Sequence, residues 1–134
     1  MHVRTHSRID ASLCGTARAL RDAYAEVELR CDERMRADDE GLVHGGFLFG
    51  LADYAAMLAV NEPTVVLAGA SAKFLAPVVV GDVVVAHATV KSGEGKRRVV
   101  DVDVKRDDVV VMTATFSCAI PSQHVLTRAR VTAP

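Results

Sequence analysis

Asp53 is the residue whose chemistry most needs explaining. Between Glu40 and Glu62 it is the only side chain charged near pH 7, a possible charge on His44 aside, and its neighbours are apolar. An ionised carboxylate is costly to bury without partners. Either it hydrogen-bonds the backbone of a facing element, or its helix face is wet, or it is a desolvated base or nucleophile whose pKa burial has raised. A second signal is His44-Gly45-Gly46, at the point where a helix should begin. Free N–H groups at a helix start meet a partial positive charge, and glycine lets a ligand approach the backbone closely. That layout suits an oxyanion site for an ester or thioester carbonyl, although a double glycine also makes a plain loop-to-helix turn.

Spacing constrains how the two could cooperate. Nine residues separate His44 from Asp53. On a helix that is roughly 13 Å and two and a half turns, onto opposite faces. One chain's Gly45 N–H and its own Asp53 can hardly share a substrate. Two helices packed antiparallel about a two-fold axis would bring one chain's N–H to the other's carboxylate, and a two-fold dimer is the commonest oligomer.

The elements that must position these residues read as follows. His44–Asn61 carries apolar residues at every helical phase and is rich in Ala and Leu, which predicts a helix that protein must wrap. Eighteen of the 22 valines lie after Glu62, so the second half should be sheet. Strands are predicted over Thr64–Ala76, Asp82–Lys91, Arg97–Arg106 and Val109–Ala119. Turns are expected at Ser92–Gly95 and Asp107-Asp108, and Pro77–Asp82 should connect adjacent strands. Ala23–Asp32 alternates as a half-exposed strand, Ser12–Arg21 reads as a short helix and Arg34–Leu42 as a loop. The fold class is α+β: a curved antiparallel sheet wrapped around one long central helix. A single domain fills 1–134, with an N-terminal extension over about 1–20 and a tail over 120–134.

Composition excludes several functions. Sixteen basic against seventeen acidic residues give a net charge of −1, and only six aromatics are present, so nucleic acid is not an expected partner. Residues 1–11 lack the apolar run of a signal peptide, and Asp53 with four glycines argues against a membrane span over 41–61. Three scattered cysteines suggest reduced thiols and a cytoplasmic setting. The five histidines are dispersed and no metal is expected.

The run Leu42-Val43-His44-Gly45-Gly46-Phe47-Leu48-Phe49-Gly50-Leu51-Ala52-Asp53 resembles the HGG…D signature of hotdog-fold acyl-CoA thioesterases, particularly the phenylacetate-pathway type. Phe74-Leu75-Ala76-Pro77-Val78-Val79-Val80-Gly81-Asp82 is similar to that family's second segment. The resemblance covers about Ala23 to Ala119. It implies that the Gly45 N–H polarises a thioester carbonyl, with the partner's Asp53 as general base or nucleophile and His44 shaping the turn. Gly46 would line the same substrate site. An Asn often stands six residues before the His. Here that position is Asp38, which when ionised accepts but cannot donate a hydrogen bond. Ser71 is a further candidate by sequence proximity alone. The acyl chain would lie between two central helices, lined by Phe47, Phe49, Tyr54 and Met57. Lys96, Arg97 and Arg98 would either contact CoA phosphates near a dimer rim or form a solvated hairpin. His87, His124 and Cys118 read as structural.

The resemblance implies a homodimer or dimer of dimers and no cofactor beyond the CoA of the substrate. A hotdog module that binds acyl-CoA without hydrolysing it, as a sensor or regulator, is the alternative. The chain has no helix-turn-helix, which argues against a DNA-binding repressor. It also lacks the closely spaced Asp and His of hotdog hydratases.

Overall fold

A computed structural model describes residues 1–127; the expected tail over 120–134 lies partly outside the described residues. In chain order the elements are α1 (Ala11–Cys14), β1 (Thr16–Arg21), β2 (Tyr24–Arg30), a 3₁₀ turn (Glu33–Met35), α2 (Gly45–Val60), β3 (Val66–Phe74), β4 (Val83–Glu94), β5 (Arg97–Arg106) and β6 (Val109–Ala119). The six strands form one sheet in the order β1-β2-β4-β5-β6-β3, and every neighbouring pair is antiparallel. Helix α2 packs against all six strands, which is the hotdog arrangement.

Period-two burial builds the inner face of the sheet. Ala25, Val27 and Leu29 of β2, Val84, Ala86 and Ala88 of β4, Val100, Val102 and Val104 of β5, and Met112, Phe116 and Cys118 of β6 are buried. Against them α2 presents Leu48, Leu51, Ala52, Ala55, Ala56 and Leu58. Alanine on both surfaces lets the helix backbone sit close to the sheet. Among the described residues no helix is long and apolar enough to cross a membrane.

Three expectations need correction. The segment expected as a helix over 12–21 is mostly strand. Gly15, at φ +104°, stops α1 after one turn, and β1 then pairs with β2 across a bulge. Its uneven burial hides the alternation that would have marked it as a strand. Pro77–Asp82 does not join adjacent strands: β4 is flanked by β2 and β5, so β3 takes the free side of β6 at the sheet edge. Finally, the chain does not wrap α2 on all sides. Gly46 is exposed, while Phe49, Gly50 and Asp53 are only half-buried.

The C-terminal end of α2 is closed by Asn61 in the left-handed conformation, with its N–H bonded to the Met57 carbonyl. Its side-chain Nδ2 donates to the His2 carbonyl (2.7 Å), and its Oδ1 accepts from the Arg4 N–H (2.8 Å). The first residues of the chain are thereby tied to the end of the central helix.

Gly15 anchors the α1–β1 corner to α2. A Cβ there would stand 2.7 Å from Val27 Cγ1, 2.9 Å from the Glu28 carbonyl oxygen and 2.9 Å from Leu51 Cδ1. Gly15→Ala should lower stability by about 1–3 kcal/mol in urea unfolding, from overpacking and an unfavourable φ. An unchanged midpoint would mean that this corner is loose.

Candidate active site

The start of α2 is fixed by the segment before it. Residues 41–44 thread between two neighbouring stretches of chain. The Val43 N–H donates to the Val78 carbonyl (2.8 Å), the His44 N–H to the Met35 carbonyl (2.8 Å) and the Val80 N–H to the Gly41 carbonyl (2.9 Å). The Pro77–Asp82 segment is itself held. Asp82 Oδ2 accepts from the Val79 N–H (3.0 Å) and lies 3.5 Å from the Arg106 guanidinium, which also donates to the Pro77 carbonyl (2.7 Å). Gly81, at φ +99°, makes the reversal. The second motif of the sequence therefore braces the first.

His44 is the N-cap residue and offers no side-chain cap. No acceptor among the described residues bonds the Gly45 or Gly46 N–H groups. Its ring is exposed and meets Phe47 edge-on, with centroids 6.2 Å apart. The start of α2 thus presents unpaired donors with the helix dipole behind them, as an oxyanion site requires.

Asp53 lies on the uncovered stripe of α2, in helical line with Gly46 and Gly50. Its Oδ1 is buried and has no hydrogen-bond partner. Burial holds the carboxyl above the ordinary aspartate range. Two thiols are close enough to feel its charge. Cys118 is pushed up to about 11, by burial first and Asp53 second. Cys14 is raised by burial, then by Asp10 and Asp53. Among the described residues no basic partner offsets the Asp53 charge. Next to it, a Cβ built on Gly50 would meet nothing within 4 Å.

The remaining candidates are dispersed. Asp38 is exposed, and its Oδ1 accepts from the Glu40 (2.9 Å) and Leu42 (3.2 Å) N–H groups, so its carboxylate shapes the loop before the helix. Met57 is fully buried and Tyr54 only 8% exposed, both in the core of this chain. Phe47, expected beside them as lining, is half-buried next to His44. Lys96, Arg97 and Arg98 sit at the β4–β5 turn. Phe74, beside Gly45, is in register with Met112 and through it with Val104. Arg97 precedes Val104 by seven residues, roughly 23 Å of strand, so the basic cluster is remote from its own chain's helix start. Ser71 and His87 line a polar concavity with Thr89, Asp103 and Thr115 that does not include Gly45 or Asp53. His87 has partners that the sequence did not reveal. The Tyr24 hydroxyl lies 3.3 Å from its Nδ1 and donates to Glu26 (2.6 Å), which faces His87 across the β2–β4 ladder. His124 Nδ1 accepts from the Leu126 N–H (3.0 Å). Cys118 is a fully buried core residue. Among the described residues no group of three or more His, Cys, Asp or Glu is placed to hold a metal ion.

Sequence reasoning missed the surroundings of Gly45. A cleft of about 310 Å³ opens beside it, between the start of α2 and the end of β3. The signal was Phe74-Leu75, two large apolar residues ahead of a proline, now 54% and 55% exposed.

With this geometry in hand, the thioesterase superfamily model matches residues 40–113, from the loop before α2 into β6. The chain belongs to the thioesterase superfamily. It is 49% identical over 116 residues, 87% of its length, to methylthioribose-1-phosphate isomerase of Aquifex aeolicus, and spans 25% of that protein. It superposes on an uncharacterized protein from Pyrococcus horikoshii with a TM-score of 0.93 and 49% identity, covering 94% of this chain and 97% of that one. A mutant of the phenylacetic acid degradation protein PaaI from Thermus thermophilus gives 0.76 and 25%, covering 81% and 95%.

The direction of the Asp53 shift sets a stability trend. Its folded pKa lies above the unfolded value of about 3.9, so the native state binds the proton more tightly. That contribution is full below about pH 4 and fades as pH rises through the folded pKa. Asp53→Asn should therefore be the more stable protein at pH 7, with the difference from wild type shrinking towards pH 4, as read from urea midpoints across that range. Parallel pH profiles would show that the carboxylate is solvated.

Proposed function

We propose that this domain hydrolyses acyl-CoA thioesters at two equivalent sites, each shared between two copies of the chain. The reading is carried by one observation: an uncompensated carboxylate and a free helix start occupy the same helix without reaching one another. Eight residues separate Gly45 from Asp53, roughly 12 Å along the axis. Two further features favour a second copy. β3 pairs only with β6 among the described residues, so its other edge is open. Gly50 leaves room on the Asp53 stripe where a facing helix could approach closely. A glycine inside a helix costs about 1 kcal/mol relative to alanine, so its presence calls for a reason outside this chain.

In this arrangement the thioester carbonyl oxygen sits at the Gly45 N–H, with Gly46 beside it and His44 framing the turn. The partner's Asp53 takes a proton from water as the water attacks the carbonyl carbon; the C–S bond then breaks, and CoA leaves as a thiol carrying the proton that Asp53 returns, with the free acid as the other product. In the alternative, Asp53 attacks that carbon itself and displaces CoA thiolate, and water then hydrolyses the acyl-aspartyl anhydride to the free acid. The developing oxyanion gains from the donor at the helix start, an effect of roughly 2.7–4 kcal/mol where it has been measured. The raised pKa of Asp53 makes it a better base than a solvated aspartate. Acyl-CoA supplies its own CoA and no cofactor takes part. Lys96, Arg97 and Arg98 reach CoA phosphates only if a neighbouring copy brings their hairpin to the site, as a dimer of dimers would. The free thiols suit a reducing cytoplasm.

A second reading has its own support. A homologous domain forms a quarter of a protein named for a different reaction, an isomerisation, so a domain of this kind can accompany another activity; the alternative is a module that binds acyl-CoA without hydrolysing it. Thiol release measured over short, medium, long-chain and aromatic acyl-CoAs separates the two. The hydrolase reading expects turnover in wild type and a loss of about 10²–10⁴-fold in Asp53→Asn, with binding retained. Saturable binding without turnover in wild type would leave the regulatory module.

A further inference from the structure

The cleft beside Gly45 has a character of its own. Its walls include Leu42, Leu48, Phe74, Leu75, Pro77 and Val78, and the rest of its lining is equally apolar: Val43, Gly45 and Ala76. Among the described residues no charged or hydrogen-bonding side chain lines it. Its volume of about 310 Å³ is at the lower end for ligand cavities, enough for an acyl group and too small for a whole acyl-CoA. One wall is the ring of Phe74, the last residue of edge strand β3. A Cβ on Gly45 would stand 3.2 Å from Phe74 Cε1 and 3.5 Å from Cδ1. The ring therefore packs against the Gly45 Cα, while 54% of the residue's surface stays exposed.

We propose that the acyl group of the thioester lies in this cleft rather than between the central helices, and that Phe74 sets the size of acyl group accepted. The inference rests on the acyl-CoA reading above and deepens it by naming the substrate class: uncharged, apolar acyl groups. The lining of the cleft and its contact with Gly45 favour this placement. A carbonyl oxygen at the Gly45 N–H puts the first acyl carbons against the Phe74 ring. A terminal carboxylate carried into the cleft would lose its hydration and meet no donor side chain. Met57 and Tyr54, the other lining expected from sequence, are packed in the core of this chain.

The test compares wild type, Phe74→Leu and Phe74→Ala, each first checked for unchanged circular dichroism and unchanged mass by light scattering. Both kcat/KM and calorimetric affinity are measured for hexanoyl-, dodecanoyl-, phenylacetyl- and succinyl-CoA. Wild type should disfavour succinyl-CoA by about tenfold or more against hexanoyl-CoA. Phe74→Ala should raise the dodecanoyl-to-hexanoyl ratio by about tenfold or more, with Phe74→Leu between, since each methylene in an apolar pocket is worth roughly 10–200-fold. Ratios that are the same in all three proteins, or succinyl-CoA accepted as well as hexanoyl-CoA, would overturn the assignment. A protein that binds without turnover fails the hydrolysis reading alone, and its affinity ratios still decide the cleft. A protein that binds none of the four overturns both.

Discussion

The close seating of α2 in the sheet is the constraint from which the rest follows. Ala52, Ala55 and Ala56 on the helix and Ala86 and Ala88 on β4 are all buried where α2 packs on the sheet, and such small side chains let the helix backbone approach the strands. What remains is a narrow stripe of Gly46, Gly50 and Asp53 facing away. A carboxylate on such a stripe is half withdrawn from water without gaining a partner. The protein tolerates that cost at one position, and a cost of this kind is characteristic of sites that do chemistry.

The same seating fixes where the helix begins. Because α2 is pinned along its length, its first turn cannot drift, and the residues around it converge on holding it. Met35 and Val78 accept from the two residues ahead of the helix. Asp82 and Arg106 hold the loop that carries Val78. The donors at Gly45 and Gly46 are thus placed in advance, so little reorganisation is needed when negative charge develops near them. The acid at one end of this arrangement and the donors at the other are both rigid and too far apart to meet within one chain.

Much of this was legible in the residues. The alternation of Val100, Val102 and Val104 against Asp101, Asp103 and Lys105 marked β5 to the residue, and the Ala- and Leu-rich run after His44 marked α2 to within one residue at each end. The isolation of Asp53 in an apolar stretch was visible as well. Other features were hidden because they depend on contacts distant in sequence. β1 lacks alternation, since one of its edges is open and its pairing carries a bulge. The position of β3 at the far edge depends on which strand sides are already taken, and no local pattern records that. The pairing of His87 with Tyr24 and Glu26 arises only once β2 and β4 lie side by side. Hydrophobicity alone did not mark which apolar residues of α2 are buried within the chain, as Met57 is.

The claim that one catalytic unit draws on two chains can be put to a direct trial with mixed dimers. Asp53→Asn removes the acid. Gly45→Pro removes the donor N–H at the first helical position, where proline is tolerated and where the extended His44 backbone (ψ 129°) already suits a following proline. Each homodimer should be nearly inactive in thiol release. A dimer with one chain of each kind, purified by two different tags, should recover about half of wild-type turnover, because one of its two sites is then intact. A mixed dimer as inactive as its parents, or a protein that stays monomeric at assay concentration, would contradict the shared site.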